Sequence, residues 1–203
     1  MKAGLATMSV ESIVDLAGHP SYHLVSVARS TAAFSLVYRV EDRVESFMDA
    51  RSLFSRRYEK HLSEGDYRAT EIVDFDHERR VAVYAEGEEL EVLEDVQDVL
   101  SSLYYVRTLL LQEGGSVFVP NHASRKNYPL EVKVLKKEWQ RTDAGNFHCF
   151  KLEPILQAAG LFKHEGKLTV WITADERRIP VLMKSKIVIG SVSAILAKIE
   201  GHE

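Results

Sequence analysis

The sequence predicts a mainly β fold: a strongly curved antiparallel sheet or partly open β-barrel, with one principal helix packed on its concave face. Two observations carry this expectation. Apolar residues alternate with polar ones at period two through six segments, while only residues 98–112 sustain a 3.6-residue period. A third observation, the lack of any repeat, linker or low-complexity tract, predicts one β-rich domain over residues 1–203.

The alternating segments are Ala6-Met8-Val10, residues 67–75, Leu130-Val132-Val134, His148-Phe150-Leu152, Leu168-Val170-Ile172 and Val181-Met183. Their intervening Lys, Glu, Arg, Thr and Ser residues suit a sheet with one wet face. Turn chemistry falls at residues 64–66, 76–78, 85–87, 143–146 and 174–177, which gives hairpins and a meander. Residues 31–37, where Ala33, Phe34 and Val37 cluster, read as one short helical turn before a strand at 44–48. Residues 156–161 read as another, ended by Gly160.

The main helix has Asp98 as its N-cap, a carboxylate able to accept from the free amides of the first turn, and Gly114-Gly115 as its stop. Val99, Leu100, Leu103, Val106 and Leu110 share one face, and Arg107 falls among them. A guanidinium keeps its proton, so in that stripe it needs a buried acid, backbone carbonyls or an exit to water. The reading assigns it a largely buried carboxylate partner from a strand, Glu153 or Asp49. Tyr104 borders the stripe and belongs to the core, whereas Tyr105 lies opposite it. Trp171, facing away from the side of Val170 and Ile172, is the other aromatic candidate for ligand contact.

With 45% hydrophobic residues the chain can build a sizeable core. Its 26 basic and 30 acidic side chains give a net charge of −4 without long runs of either sign, which argues against nucleic acid as a partner. The single cysteine, Cys149, allows no intramolecular disulfide and reads as a small buried hydrophobe in a strand. No apolar run approaches the ~20 residues of a membrane-spanning helix, and no signal peptide precedes Ala3. Of the eight histidines only His19 and His23 stand at H-x-x-x-H spacing, with Pro20 between them, and none form an H-x-H pair. No metal and no cofactor are expected. Serine-hydrolase, P-loop and Rossmann signatures are missing as well.

Residues 98–107, Gly145 to Phe147 in the G-x-F pattern, the W-x-T-x-D-x-R-R-x-P-V segment from Trp171, and Gly190-x-Val192-x-Ala194-x-Leu196 occur in an order that resembles the bacterial domain-of-unknown-function family 3108. The resemblance spans nearly the whole chain. Val99 departs from it, standing where the family often has proline. The resemblance implies a mostly β domain, usually exported beyond the inner membrane, with no established activity. Met1-Lys2-Ala3-Gly4 looks like the turn after an absent first strand. The native full-length form is therefore expected in the periplasm or at the outer membrane, and an unpaired edge near residues 5–13 is expected to favour self-association.

Two functional classes follow. The favoured one is a non-enzymatic envelope protein whose curved sheet binds a hydrophobic or glycan ligand, or a partner segment, with Tyr105 and Trp171 as contact residues; the comparison with periplasmic lipoprotein carriers is one of presumed shape. The alternative is a carbohydrate-active hydrolase using Glu153 and Asp175 as paired carboxylates. In the favoured class Asp98, Arg107, Glu153 and Asp175 are structural. A third possibility is an adaptor without a small-molecule site.

Overall fold

The computed structural model describes residues 2–156, 167–186 and 191–201. Among these residues the chain is mainly β. A first meander runs β1 (Gly4–Leu16), β2 (His19–Ser30), β3 (Glu41–Asp49), β4 (Ser55–Glu64), β5 (Tyr67–Asp76), β6 (Val81–Tyr84) and β7 (Glu89–Glu91), with the single-turn helix α1 (Ala32–Ser35) between β2 and β3. Helix α2 (Val99–Val106) follows. A second meander then runs β8 (Ser116–Ala123), β9 (Lys126–Thr142), β10 (Gly145–Pro154), β11 (Leu168–Thr173), β12 (Pro180–Lys186) and β13 (Ser191–Ile195).

The expected single curved sheet or partly open barrel is instead two antiparallel sheets of seven and six strands, each ordered as in the chain. Neither is a closed barrel: β1 and β7 are the edges of the first, β8 and β13 of the second. Short hairpins make sequence neighbours into sheet neighbours, and the long segment holding α2 interrupts that pattern once. Ala17-Gly18, with φ of 52° and 86°, supplies the left-handed pair that joins β1 to β2. Ser124-Arg125 does the same between β8 and β9 without a glycine, at φ of 51° and 61°. The strain at Arg125 is offset by its guanidinium, which lies 4.2 Å over the Tyr84 ring and pairs with Glu86 at 2.7 Å and with Glu88.

The chain forms two compact units, one of Met1–Tyr105 with Pro120–Asn127, the other of Val106–Val119 with Tyr128–Glu203. In the first, Leu24, Val44, Met48, Tyr58, Val73, Phe75, Ala82 and Val96 are buried. In the second the buried set includes Leu130, Val132, Val134, Phe150, Leu152, Val170, Ile172 and Val181. On β9 the buried Leu130, Val132 and Val134 are those that the alternation selects; on β10 it selects buried Phe150 and Leu152 but also exposed His148, and on β11 all six residues are buried.

Three local expectations change. Helix α2 ends at Val106 rather than near 112, and Leu110 is 91% exposed, so the apolar stripe stops one turn early. Strand β9 continues to Thr142, beyond the Val134 limit of the recognised alternation, because Leu135 sits at a bulge that breaks the period there. Strand β4, whose Arg-Arg-Tyr-Glu-Lys-His run reads as polar, is held between β3 and β5 and buries Tyr58. The helical turn at 31–37 is present as α1, capped by Thr31, whose hydroxyl accepts from the Phe34 amide. The turn expected at 156–161 and Gly190 lie outside the described residues, apart from Leu156.

Candidate functional site

Asp98 is the most connected polar residue of the first unit. Its Oδ1 accepts from the amides of Leu100 at 2.7 Å and Ser101 at 2.8 Å, the N-cap geometry that its spacing predicts. Its Oδ2 accepts from the hydroxyls of Ser46 on β3 at 2.6 Å and Ser55 on β4 at 2.5 Å. Ser101 Oγ accepts in turn from the Asp98 amide, a capping box with serine in the usual glutamate position. Burial raises the Asp98 pKa, and the four donors act against that rise. Nearby Tyr58 is pushed well above the usual phenol range, by burial first and by the charge of Asp98 second. Asn121 donates to Ser102 Oγ at 2.8 Å and to the Gln97 carbonyl at 3.1 Å, while Gln97 Nε2 donates to the Leu53 carbonyl at 2.7 Å. A carboxylate with all its acceptor sites filled and no exposure is an anchor for α2, not an acid or base for a substrate.

A second chain of hydrogen bonds runs from buried Tyr84 to Asn127 at the surface. Asn127 donates through Nδ2 to the Glu91 carbonyl at 2.6 Å, so its Oδ1 faces His122 Nδ1 at 2.7 Å. His122 therefore carries its proton on Nδ1, and its bare Nε2 accepts from the Tyr84 hydroxyl at 2.6 Å. Burial lowers the pKa of His122 against the Asn127 hydrogen bond, and burial raises that of Tyr84 to about 12. Every proton in this chain has a place, and Tyr84 is buried.

In the second unit, the β11–β12 turn is organised by Thr173 and Asp175. The Thr173 hydroxyl donates to Asp175 and accepts from the Ile179 amide, and Arg177 donates to Asp175 through Nε at 3.0 Å and Nη2 at 2.7 Å. Partial burial opposes ionisation of Asp175, but the Thr173 and Arg177 hydrogen bonds outweigh it and its pKa is lowered. Arg107 Nη2 donates to the Arg177 carbonyl at 3.0 Å. The Leu-Tyr-Tyr-x-Arg and Trp-x-Thr-x-Asp-x-Arg-Arg segments, far apart in sequence, thus meet at one hydrogen bond.

The surface feature with binding chemistry lies on the outer part of the β9–β10 hairpin. Trp139 is 71% exposed and faces its register partner His148, with ring centroids 5.3 Å apart and planes at 34°. Lys137 and Arg141 flank it at alternate positions of β9, also exposed. Lys137 Nζ lies 4.7 Å from the centre of the Phe150 ring, and the Arg178 guanidinium also lies 4.7 Å from it. On the hairpin's other face Cys149 joins Trp171, Val181 and Leu182 in a buried cluster, with Phe147 and Leu196 against it.

Residues 1–197 match the family described as a protein of unknown function, DUF3108. The chain belongs to the DUF3108 family. A crystal structure of a DUF1089 family protein from Pseudomonas aeruginosa is similar, with a TM-score of 0.49 and 12% identity, covering 88% of each chain. No curated protein matches.

In this DUF3108 chain the residues singled out from sequence are dispersed. Trp171 is 5% exposed, donates its indole N–H to Glu138 at 2.6 Å and packs on Cys149, so it has no open face for a ligand. Its burial follows from β11, where all six residues are buried and neither face is wet. Tyr105 is half-buried on α2. Arg107 is half-buried rather than enclosed. The acids proposed for it have cations of their own: Lys167 on Glu153 at 2.5 Å and Arg56 on Asp49 at 2.6 Å. Glu153 follows Leu152, the partner of Val170, whereas Asp175 lies beyond Thr173 at the other end of β11. That offset is about 20 Å at strand spacing, too far for a glycosidase pair. Cys149 is fully buried, and burial raises its thiol pKa to about 11. Among the described residues no three His, Cys, Asp or Glu side chains are placed to hold a metal ion, and no helix is long and apolar enough to cross a membrane. Trp139 was legible only as part of Lys-Glu-Trp-Gln-Arg, a strand pattern with a large aromatic on its wet side.

Proposed function

We propose that this DUF3108 protein is a non-enzymatic binding protein of the bacterial cell envelope, one β-rich domain that holds a glycan on the exposed face of the β9–β10 hairpin. The observation that carries the reading is the Trp139 indole, open to solvent beside His148 on a sheet face. Pyranose C–H groups bear partial positive charge and match the negative face of an aromatic ring, and neighbouring polar side chains can fix the hydroxyls. A rigid hairpin face also presents the ring with little loss of entropy on binding. A purely hydrophobic ligand is less well matched, because cations flank the indole. The hydrolase reading loses its named acids, which are engaged and far apart. The envelope location rests on the family resemblance and is tested by fractionating a native host.

Binding is tested by calorimetric titration of the full chain with a panel of neutral and acidic oligosaccharides. The expected result is binding to at least one glycan that Trp139→Ala abolishes while leaving the melting temperature unchanged. Equal binding by Trp139→Ala, or no glycan bound at all, rejects the reading.

A further inference from the structure

Resting on that glycan-binding reading, we infer that the ligand is an acidic glycan, a chain whose sugars carry carboxylates. It lies along β9 with a pyranose face on Trp139 and its anionic groups on Lys137 and Arg141.

The charge pattern of the hairpin carries the inference. On β3 and β4 the arginines and the lysine are neutralised across or along the sheet: Arg43 by Glu45, Arg57 by Asp74, Lys60 by Glu71. On the opposite face of β9 exposed Lys136 pairs with Glu138 at 2.7 Å. One position on, Lys137 and Arg141 form no ion pair among the described residues, and Arg178 beside them forms none either. The acid at this edge, Glu113, is turned to the backbone and accepts from the Lys137 amide at 2.9 Å. Lys137 is held over the Phe150 ring, so its ammonium is positioned without being neutralised. Alternate residues on a strand step by roughly 6.6 Å, so a ligand following β9 meets a cation, an indole and a second cation within about 13 Å. That order suits a linear polymer with charge at intervals and apolar faces between. A guanidinium at Arg141 can also take a carboxylate with two parallel hydrogen bonds.

A membrane surface is the rival anion, and the hairpin is poorly made for it. Its tip, Asp143-Ala144-Gly145-Asn146, has no large apolar residue to insert and carries a negative charge.

The test uses the full chain with three probes: oligogalacturonate, its methyl ester of equal length, and vesicles of phosphatidylglycerol. Trp139 emission is the readout, since the other tryptophan, Trp171, is buried. Oligogalacturonate should bind at least about tenfold more tightly than the ester at low salt. The Lys137→Gln/Arg141→Gln variant should lose that difference and keep the affinity for the ester, and added salt should mimic it. Equal affinities for acid and ester would overturn the acidic preference and leave glycan binding intact. Binding to neither sugar would overturn both, and binding to vesicles alone would assign the face to a membrane.

Discussion

Removing Asp98 removes the common acceptor of two hydroxyls and two amides that are all buried, and each stranded donor costs about 1–3 kcal/mol. Asp98→Ala should therefore lower stability by at least about 3 kcal/mol, read as a lower urea midpoint, while Asp98→Asn should lose less because one oxygen still accepts. An Asp98→Ala midpoint within error of the wild type would mean that the four bonds are not jointly stabilising. His122 and His77 give the pH dependence. Burial lowers both imidazole pKa values in the folded chain, so the unfolded chain binds protons more readily. Stability from these two is complete above the ordinary imidazole pKa of about 6.5 and is lost as pH falls below it. Acids with lowered pKa values, such as Glu45, Asp49 and Asp175, add their own loss only nearer the carboxylate range. His122→Gln should flatten the decline in urea midpoint between about pH 6.5 and 5; an unchanged slope would assign it to other groups. At this scale the sequence disclosed half of each arrangement. The N-cap role of Asp98 is local and legible, but Ser46 and Ser55 reach it across 52 and 43 residues, and only the sheet register brings them there. The partnership of Tyr84 with His122 is hidden for the same reason.

Helix α2 shows how a pattern can be right in kind and wrong in extent. Leu100 and Val106 are buried while Leu110 stands in water, because the chain leaves the helix at Arg107, whose guanidinium reaches the β11–β12 turn. Leu100→Ala should cost about 2–5 kcal/mol, and Leu110→Ser should fall within about 0.5 kcal/mol of the wild type by denaturant unfolding. A comparable cost at both positions would restore the longer stripe. Alternation located β5, β10, β11 and β12, each of which buries residues on at least one face, and it also located β1, although no residue of that strand is buried. It did not find β2, β6, β7 or β8, and it also missed β4 and the outer half of β9, where the strands are charged and their neighbours, not their propensity, make them strands. The edge strand β1 leaves Leu5, Val10 and Ile13 more than half exposed. We propose that this edge pairs with the same edge of a second copy. Sedimentation should show a concentration-dependent dimer that Val10→Lys weakens. A monomer at every concentration, or a dimer indifferent to that charge, would dismiss the edge as the contact.

The two compact units are not successive stretches of chain, and this bears on whether the molecule unfolds as one domain. The backbone passes between them after Tyr105, after Val119 and after Asn127, so strands β8 and β9 each contribute residues to both. Neither unit can be excised as a single segment, and neither can unfold without fraying a strand of the other. A single cooperative transition is the expectation for one β-rich domain. The tryptophans make this testable, because both Trp139 and Trp171 belong to the second unit and none to the first. Their emission therefore follows the second unit, dominated by the change at buried Trp171, whereas far-ultraviolet circular dichroism follows both sheets. The two urea curves should coincide. The sharper test places the perturbation and the reporter in different units: Asp98→Ala acts within the first, so in a single cooperative domain it must lower the midpoint seen by tryptophan as much as that seen by circular dichroism. A tryptophan midpoint that stays at its wild-type value while the dichroism shifts would show two domains unfolding independently, despite the strands they share.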